Sequence, residues 1–361
     1  MGKGSKKWFL ALGIVLLIAV AVVAGEQKKV ECFFLKSLHA TTGGMKHWYE
    51  AKDGFMQLTG IPYDKLGCKK CHASSCDVCH AKKTDSGLAY SKEEAGKQAK
   101  CLKCHAREKA TFGYDKKIAF NDVHAGMECM DCHTAKDVHG DGNEYVSGRQ
   151  PGVIDAKCTN CHKPSGEEGE APQIPSDRPH KVHGNKLACE ACHVSNTFSC
   201  YNCHFDEFLR LAKAGDPKAK PKSFAGPVKS FLLLVNHNGK VTSGGFQTLV
   251  GGNKGFVAYV PFETHSIMKE GRKCGDCHGT EIARALAKGK KVKVSWLGED
   301  GKVKFIENAV VPASENLQWV FLKKEGDKWV ELKDSNPLIQ WAAFAEPLTA
   351  EQLKAMAKKM K

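Results

Sequence analysis

Cysteine and histidine occur in this chain at a spacing that supports covalent attachment of a cofactor. The 361 residues include 17 cysteines and 16 histidines. Sixteen of the cysteines form eight pairs separated by two residues, and a histidine directly follows every pair. In the resulting Cys-x-x-Cys-His motif, both thiols add to the vinyl groups of one porphyrin and the adjacent imidazole binds its iron. The predicted attachment cysteines, numbered as motifs one to eight, are Cys68 and Cys71, Cys76 and Cys79, Cys101 and Cys104, Cys129 and Cys132, Cys158 and Cys161, Cys189 and Cys192, Cys200 and Cys203, and Cys274 and Cys277, and the predicted proximal iron ligands are His72, His80, His105, His133, His162, His193, His204 and His278.

Structural zinc is the main alternative, because zinc knuckles use the same spacing of two cysteines. A zinc site has no need of a histidine after every second cysteine, whereas haem attachment requires it. The sequence therefore predicts eight haem c groups, with their iron, as the cofactors. It assigns no catalytic residue.

The remaining eight histidines equal the predicted haems in number. We therefore predict that every iron has a second imidazole ligand, which gives low-spin iron and blocks small-molecule binding. His180 and His183 lie close together in the sequence. One of the two is therefore either a spare histidine or a ligand to a neighbouring haem, and the sequence leaves both alternatives open. The predicted distal ligands are His39, His47, His124, His139, His180, His183, His237 and His265.

The short polypeptide between motifs indicates that the haems lie against one another. Four residue steps from His72 to Cys76 reach at most about 14 Å. We expect the porphyrins to supply most of the apolar core, so that a large conventional core is absent. The predicted fold class is a multihaem cytochrome c, mostly irregular, with short α-helices packed around stacked haems and small β-hairpin elements.

The amino terminus predicts export. Lysines at positions 3, 6 and 7 precede an apolar run over residues 8–24, which is typical of a secretory signal peptide. An uncleaved anchor is the alternative, because the run has nearly the length of a membrane span. We therefore expect a periplasmic, cell-surface or extracellular protein that contacts a membrane only if residues 1–24 are retained.

Residues 25–285 form the predicted octahaem domain, with a haem-free β-rich insertion at about 216–264. Residues 286–361 form a predicted C-terminal β-hairpin module with a final helix. The predicted elements are helices over 91–106 and 281–287, strands over 231–235 and 255–260 separated by Gly-rich turns, hairpins pairing 291–296 with 302–306 and 318–322 with 328–332, and a helix after Thr349 with Gln352 completing a capping box.

The net charge of +14 would ordinarily indicate nucleic acid or an anionic membrane as partner. Export argues against nucleic acid. Eight haems carry sixteen propionates, which would change +14 to about −2 with ferrous iron. We therefore expect much of the lysine excess to balance propionates.

The eight motifs, the close pair at motifs one and two, and the segment Thr264-His265-Ser266-Ile267 before Cys274 resemble the multihaem cytochromes of anaerobic respiration. The resemblance covers about 210 residues. It implies either an exported cytochrome of extracellular electron transfer, some of which polymerise into haem filaments, or an octahaem oxidoreductase such as hydroxylamine oxidoreductase or octahaem tetrathionate reductase, acting on small nitrogen or sulfur compounds at an open haem. Such enzymes often replace one motif histidine by lysine, and none is replaced here, which favours the conduit. A quinol dehydrogenase that keeps its anchor is a third interpretation.

The segment before motif one raises the question of partners. Cys32 is the unpaired seventeenth cysteine, and His39 and His47 lie on a stretch without a haem motif. Such a segment can donate a ligand to another protomer and propagate a filament, or it can fold back onto its own chain. The expected partners are other redox proteins or further copies of this chain.

Overall fold

The computed structural model describes residues 33–66, 72–118, 122–204, 222–225, 231–325, 328–333 and 336–360. The predicted signal segment, Cys32, Cys68 and Cys71 lie outside the described residues, as do the side chains of Cys203 and His204. Within the described part of the chain, no helix has the length and apolar character needed to span a membrane.

Short helices dominate the first two hundred residues. The predicted helix over 91–106 is interrupted at Lys97, whose extended backbone separates two short helices, and the second of these ends at Cys101. Cys104 therefore lies in the turn after that helix, and not inside a helix as predicted. The predicted helix over 281–287 is confirmed, with Thr280 capping it through the amide of Ala283. The α-helices are α1 (Gly43–Glu50), α2 (Met56–Thr59), α3 (Asp77–His80), α4 (Lys92–Gly96), α5 (Gln98–Cys101), α6 (Ala106–Ile118), α7 (Ala135–His139), α8 (Cys158–Cys161), α9 (Arg178–His183), α10 (Cys189–His193), α11 (Cys274–Cys277), α12 (Glu281–Ala287) and α13 (Ala350–Ala357).

Strands are the main regular structure of the described chain after residue 200. An isolated hairpin precedes them next to motif two, and its residues are largely exposed. The strands are β1 (Ala81–Thr84), β2 (Gly87–Tyr90), β3 (Cys200–His204), β4 (Lys222–Ala225), β5 (Phe231–His237), β6 (Lys240–Gly251), β7 (Lys254–Pro261), β8 (Val292–Lys293), β9 (Ser295–Leu297), β10 (Val303–Phe305), β11 (Ala309–Pro312), β12 (Leu317–Gln318), β13 (Leu322–Glu325), β14 (Lys328–Glu331) and β15 (Leu338–Trp341).

Seven strands form one mixed sheet around the long strand β6. The order is β11-β5-β6-β3-β4, and β7 also pairs with β6 and carries β15 on its other side. Strands from the predicted insertion and from the predicted C-terminal module therefore share one sheet. The Gly-rich turns predicted after residue 235 are largely strand β6. Gly244 allows this close pairing, because a Cβ there would lie 2.8 Å from Val235.

This sheet has a conventional apolar core, which corrects the expectation that the chain lacks one. Strand β5 is buried on both faces, and Phe231, Leu232, Leu233 and Val235 have no exposed surface. The core continues through Phe246 and reaches helices α12 and α13. Strands that are covered on both faces have continuously apolar sequences. The apolar run at residues 231–235 is therefore typical of a strand inside a buried sheet.

The predicted hairpins are partly confirmed. Strands β9 and β10 pair antiparallel across residues 298–302, so the first hairpin forms, but its paired segment begins at Ser295 and not at Lys291. Residues 292–293 form β8 instead. In the second hairpin, β13 pairs with β14, so the paired segment begins at Leu322 and not at Gln318. Gln318 belongs to β12, which pairs in parallel with β8. The final helix has the predicted capping box between Thr349 and Gln352.

Candidate haem sites

Each of five predicted haem motifs closes into one helical turn. The amide of the motif histidine donates to the carbonyl of the first cysteine, four residues earlier, at 2.8 to 3.0 Å. One turn of helix places residues three and four apart on the same side. Two thiols and an imidazole can therefore act on a single porphyrin. These turns are the motifs ending in His80, His105, His133, His162 and His278, and motif six lies in helix α10.

The motif cysteines are accessible to a cofactor. Every cysteine whose side chain the structure describes is free of disulfides and lies at an exposed or intermediate position. Cys104 of motif three is exposed although it lies beyond the end of α5. Its amide donates to the carbonyl of Cys101 at 3.1 Å, so the turn that ends in His105 still keeps both thiols of this motif together. The exposed cysteines are Cys76, Cys104, Cys132, Cys189 and Cys274.

Motif seven differs, because it lies on strand β3 in the sheet. Its central residues Tyr201 and Asn202 are completely buried. The pairing with β6 is irregular between Cys200 and Cys203, and Asn202 has a positive φ of 49°. The side chain of Asn202 also accepts from the amide of Leu322 and donates to its carbonyl. This motif is therefore anchored by the apolar core.

The structure brings five predicted distal histidines to five predicted proximal histidines. The ring centroids of each pair lie 6.0 to 6.3 Å apart. Two metal–imidazole bonds of about 2.0 Å on opposite sides of one metal ion require a similar separation of about 6 Å. The pairs are His39 with His105, His80 with His139, His124 with His162, His180 with His193, and His183 with His278.

Helix α9 places a predicted distal ligand beside each of two motifs. His180 lies against His193 of motif six, and His183 lies against His278 of motif eight. Asp177 caps the helix by accepting from the backbone amide of His180. A single helix turn therefore holds the imidazoles of two sites side by side, so both histidines have a place and neither is spare in this arrangement.

Three predicted distal ligands are not in ring contact with a described proximal histidine. His265 lies 5.8 Å from the ring of Phe112, and His133 and His105 are among its electrostatic neighbours. His47 is exposed on α1 and packs edge-on against Trp48. Both ring nitrogens of His237 lie within hydrogen-bonding distance of backbone carbonyls, those of Arg149 and Phe344.

The motif cysteines form a continuous series of neighbours. The thiol of Cys129 neighbours that of Cys101, and the thiol of Cys158 neighbours that of Cys189. Other thiols lie near enough to influence one another electrostatically: Cys79 and the two cysteines Cys101 and Cys104, Cys132 and Cys161, and Cys192 and Cys277. The series thus connects motif two through motifs three, four, five and six to motif eight.

The surroundings of the facing pair His39 and His105 shift the pKa values of the two rings in opposite directions. Desolvation, together with the nearby rings of His105, His139 and His133, lowers the pKa of His39. A metal binds the neutral imidazole. At the partner ring, the neighbouring carboxylate of Glu108 raises the pKa of His105.

The surfaces around the motifs also fit a porphyrin. Val78 and Met130 lie between the two cysteines of motifs two and four, and Val182 lies between the two histidines of α9; all three are more than a third exposed. An apolar macrocycle would cover such side chains, and burial of apolar surface stabilises by about 25 cal/mol per Å². Thiols, facing imidazoles and apolar surface together suit covalent haem.

Comparison with known families supports this chemistry. Residues 121–205 match the cytochrome c3 family model. The matched segment contains motifs four to seven. No curated protein and no solved structure matches the chain. The motifs, their geometry and the matched segment define a multihaem c-type cytochrome, whose general function is electron transfer by haem c.

The groups that bond the second ring nitrogen of the motif histidines were not predicted from the sequence. Most are backbone carbonyls, which leave no signal in a sequence. One is the carboxylate of Asp137, 3.1 Å from Nδ1 of His133. The sequence pattern that could have indicated it is an aspartate one helical turn after a motif histidine.

Proposed function

We propose that this protein is an exported electron-transfer conduit with eight covalently bound haems, each with two histidine ligands. The observation that carries the proposal is the facing of predicted proximal and distal imidazoles at 6.0 to 6.3 Å in five separate pairs. The chain contains three further motifs and three further histidines, which extend the same scheme to eight.

Each haem iron supplies a one-electron Fe(III)/Fe(II) couple. With a second imidazole beside each motif histidine, the chain would leave no open site on the iron for an oxyanion or other small molecule. Cysteines of successive motifs lie next to one another, so haems attached to them would also be neighbours. Electrons would then pass from site to site without a bond being made or broken, as anaerobic respiration or extracellular electron transfer requires.

Intact mass and electron paramagnetic resonance test the proposal together. The denatured holoprotein should exceed the mass of the apo chain by eight haems, and the oxidised protein should lack a high-spin signal. Cys158→Ala/Cys161→Ala/His162→Ala should lower the mass by one haem. Seven or fewer haems in homogeneous wild-type protein would contradict the count.

The same spectra discriminate the alternative function. An octahaem oxidoreductase keeps one iron open to its substrate. One stoichiometric high-spin haem whose spectrum changes on adding cyanide or nitrite would contradict the conduit and support the enzyme. Unchanged spectra support the conduit.

We also propose that His47 is donated to a haem of a second copy of this chain. His39, the other candidate on that segment, faces His105 of its own chain. His47 is exposed, and it borders an open concavity of about 460 Å³ lined by Lys46, Glu50 and Val146. Ligand donation of this head-to-tail kind builds a filament, because the contact does not close on itself.

His47→Ala and His39→Ala separate these roles. We expect His47→Ala to abolish filaments in electron micrographs, and its monomers to contain one high-spin haem. His39→Ala should create a high-spin haem at motif three without changing assembly. If His47→Ala assembles like wild type and stays low-spin, the donated-ligand proposal is wrong, whereas the eight-haem conduit is unaffected.

A further inference from the structure

The predicted iron ligands differ in what holds their second ring nitrogen. An iron-bound imidazole coordinates through one nitrogen and donates a hydrogen bond from the other, and the acceptor sets the basicity of the ligand. For four proximal histidines this acceptor is a neutral backbone carbonyl. These contacts join His80 to Ser91 (3.2 Å), His162 to Pro172 (2.7 Å), His193 to Met268 (3.1 Å) and His278 to Ala355 (3.2 Å).

His133 of motif four instead faces a carboxylate. Its Nδ1 lies 3.1 Å from Oδ2 of Asp137, and only 3% of that aspartate side chain is exposed. Three further donors fix the carboxylate: the backbone amides of Asp155 (2.7 Å) and Thr134 (3.3 Å) and the hydroxyl of Thr134 (3.4 Å). The carboxylate is therefore held in one orientation toward the imidazole.

Two other carboxylates approach predicted ligands less effectively. Asp177 lies 2.5 Å from Nδ1 of His180, but half of its side chain is exposed. Glu108 lies 3.7 Å from Nδ1 of His105, which is too long for a normal hydrogen bond. Water screens an exposed charge strongly, whereas a buried one acts at a lower effective dielectric. Asp137 thus combines contact and burial.

We propose that Asp137 is a positioning residue that hydrogen-bonds His133 and lowers the reduction potential of the haem at motif four. This inference rests on the proposed function, because it requires haem at that motif. A carboxylate draws the Nδ1 proton toward itself and makes the imidazole more electron-donating. A more donating ligand stabilises ferric iron over ferrous iron. Motif four lies between motifs three and five in the series of neighbouring cysteines. Electron transfer onto its haem from a neighbouring haem of higher potential would then be thermodynamically uphill.

Asp137→Asn tests the inference, because it removes the charge and keeps one acceptor oxygen. We expect one component of the eight-haem potentiometric titration to move to more positive potential. A tenfold change in the preference for ferric iron corresponds to about 59 mV for a one-electron couple. The g-values of one low-spin haem should change with it, and all irons should stay six-coordinate.

Two substitutions serve as matched controls. Asp131→Asn removes a charge next to the same haem, from a residue that bonds the amide of Glu128 and no histidine. Asp177→Asn removes the half-exposed carboxylate that contacts Nδ1 of His180. Both should shift their component less than Asp137→Asn does. If either shifts a component as far, or if Asp137→Asn shifts none, the inference is wrong.

Asp137 also closes a capping box at α7, so Asp137→Asn can fail to fold. Thr134 is the N-cap of the same helix, so a second measurement on the unaltered protein provides the test. In proton nuclear magnetic resonance of the reduced holoprotein, we expect the Nδ1 proton of His133 to resonate downfield of the Nδ1 protons that face backbone carbonyls, because its acceptor is a carboxylate. A His133 proton that resonates among the others would overturn the inference. Wild-type intact mass is measured first. Fewer than eight haems contradict the proposed function, whereas eight haems without these shifts contradict only the role of Asp137.

Discussion

The haem-motif region before residue 200 and the sheet region after residue 230 are built on different principles. In the motif region few apolar side chains are buried, and the described cysteines and histidines lie at intermediate or exposed positions. In the sheet region, β5, β6 and β7 enclose a continuous apolar core. We therefore expect porphyrins to supply the core of the first region, whereas the second region is stabilised by its own side chains.

Strand β3 joins the two regions. Tyr201, inside motif seven, packs edge-on against Phe305 and is completely buried in the sheet core. One motif is therefore held by the polypeptide itself. The other described motifs lie in helical turns, and in five of them the motif histidine faces a second histidine.

The largest expected effect follows from removing haem. In full-length protein made without haem attachment, the motif region should lose its amide protection, because it buries too little apolar surface to offset its conformational entropy. The sheet region, from β5 to α13, should stay protected. Hydrogen exchange followed by mass spectrometry measures both in one sample, with the holoprotein as reference. Equal protection in the two regions of the haem-free chain would break the comparison.

A large effect is expected from a cavity in the sheet. Phe231 is completely buried and packs edge-on against Phe246. We expect Phe231→Ala to lower the free energy of unfolding of the sheet region by about 3–5 kcal/mol. Leu88→Ala, at an exposed apolar position of the β1–β2 hairpin (61% exposed), is the control and should change it by less than about 0.5 kcal/mol. Denaturant unfolding followed by tryptophan fluorescence gives both values. Similar losses would contradict the location of the core.

A moderate loss of stability is expected in strand β3, which joins the two regions. Asn202→Ala leaves the buried amide and carbonyl of Leu322 without the partners that Asn202 supplies. The loss should destabilise the sheet by about 1–3 kcal/mol, and it should also shift the spectrum of the haem at motif seven. Asn238→Ala provides the control, because Asn238 has a similar φ of 48° in the exposed β5–β6 turn. Destabilisation without any spectral change would show that the sheet does not support this motif.

The smallest expected effect is the loss of stability on removing one helix cap in each region. Thr349 caps α13 in the sheet region, and Ser91 caps α4 in the motif region, each through its side-chain oxygen. Thr349→Ala should cost about 1 kcal/mol of unfolding free energy. We expect Ser91→Ala to cost less in the holoprotein, because thioether bonds at motifs two and three constrain the chain around α4. Thermal unfolding of both variants checks this order, and a larger loss for Ser91→Ala would reverse it.

Local patterns in the sequence predicted several elements well. Helix α12 and the final helix with its capping box depend on neighbouring residues, and they form where predicted. The β9–β10 hairpin also forms, over a shorter segment than predicted. The joining of two predicted modules into one sheet was not predicted. Parallel pairing of β11 with β5 and of β15 with β7 connects segments far apart in the chain, and no local pattern specifies such partners.

The sequence by itself determined the chemistry of the sites, because attachment requires two cysteines and a histidine within five consecutive positions of one short segment. Only the tertiary structure decided which histidines face each other. His124 precedes motif four by five residues yet lies against His162 of motif five, and His183 precedes motif six yet lies against His278. A distal ligand would lie on the opposite face of its porphyrin from the motif histidine, so the spacing along the chain does not specify which segment supplies it. The second imidazole therefore comes from another part of the chain, at a distance that only folding sets.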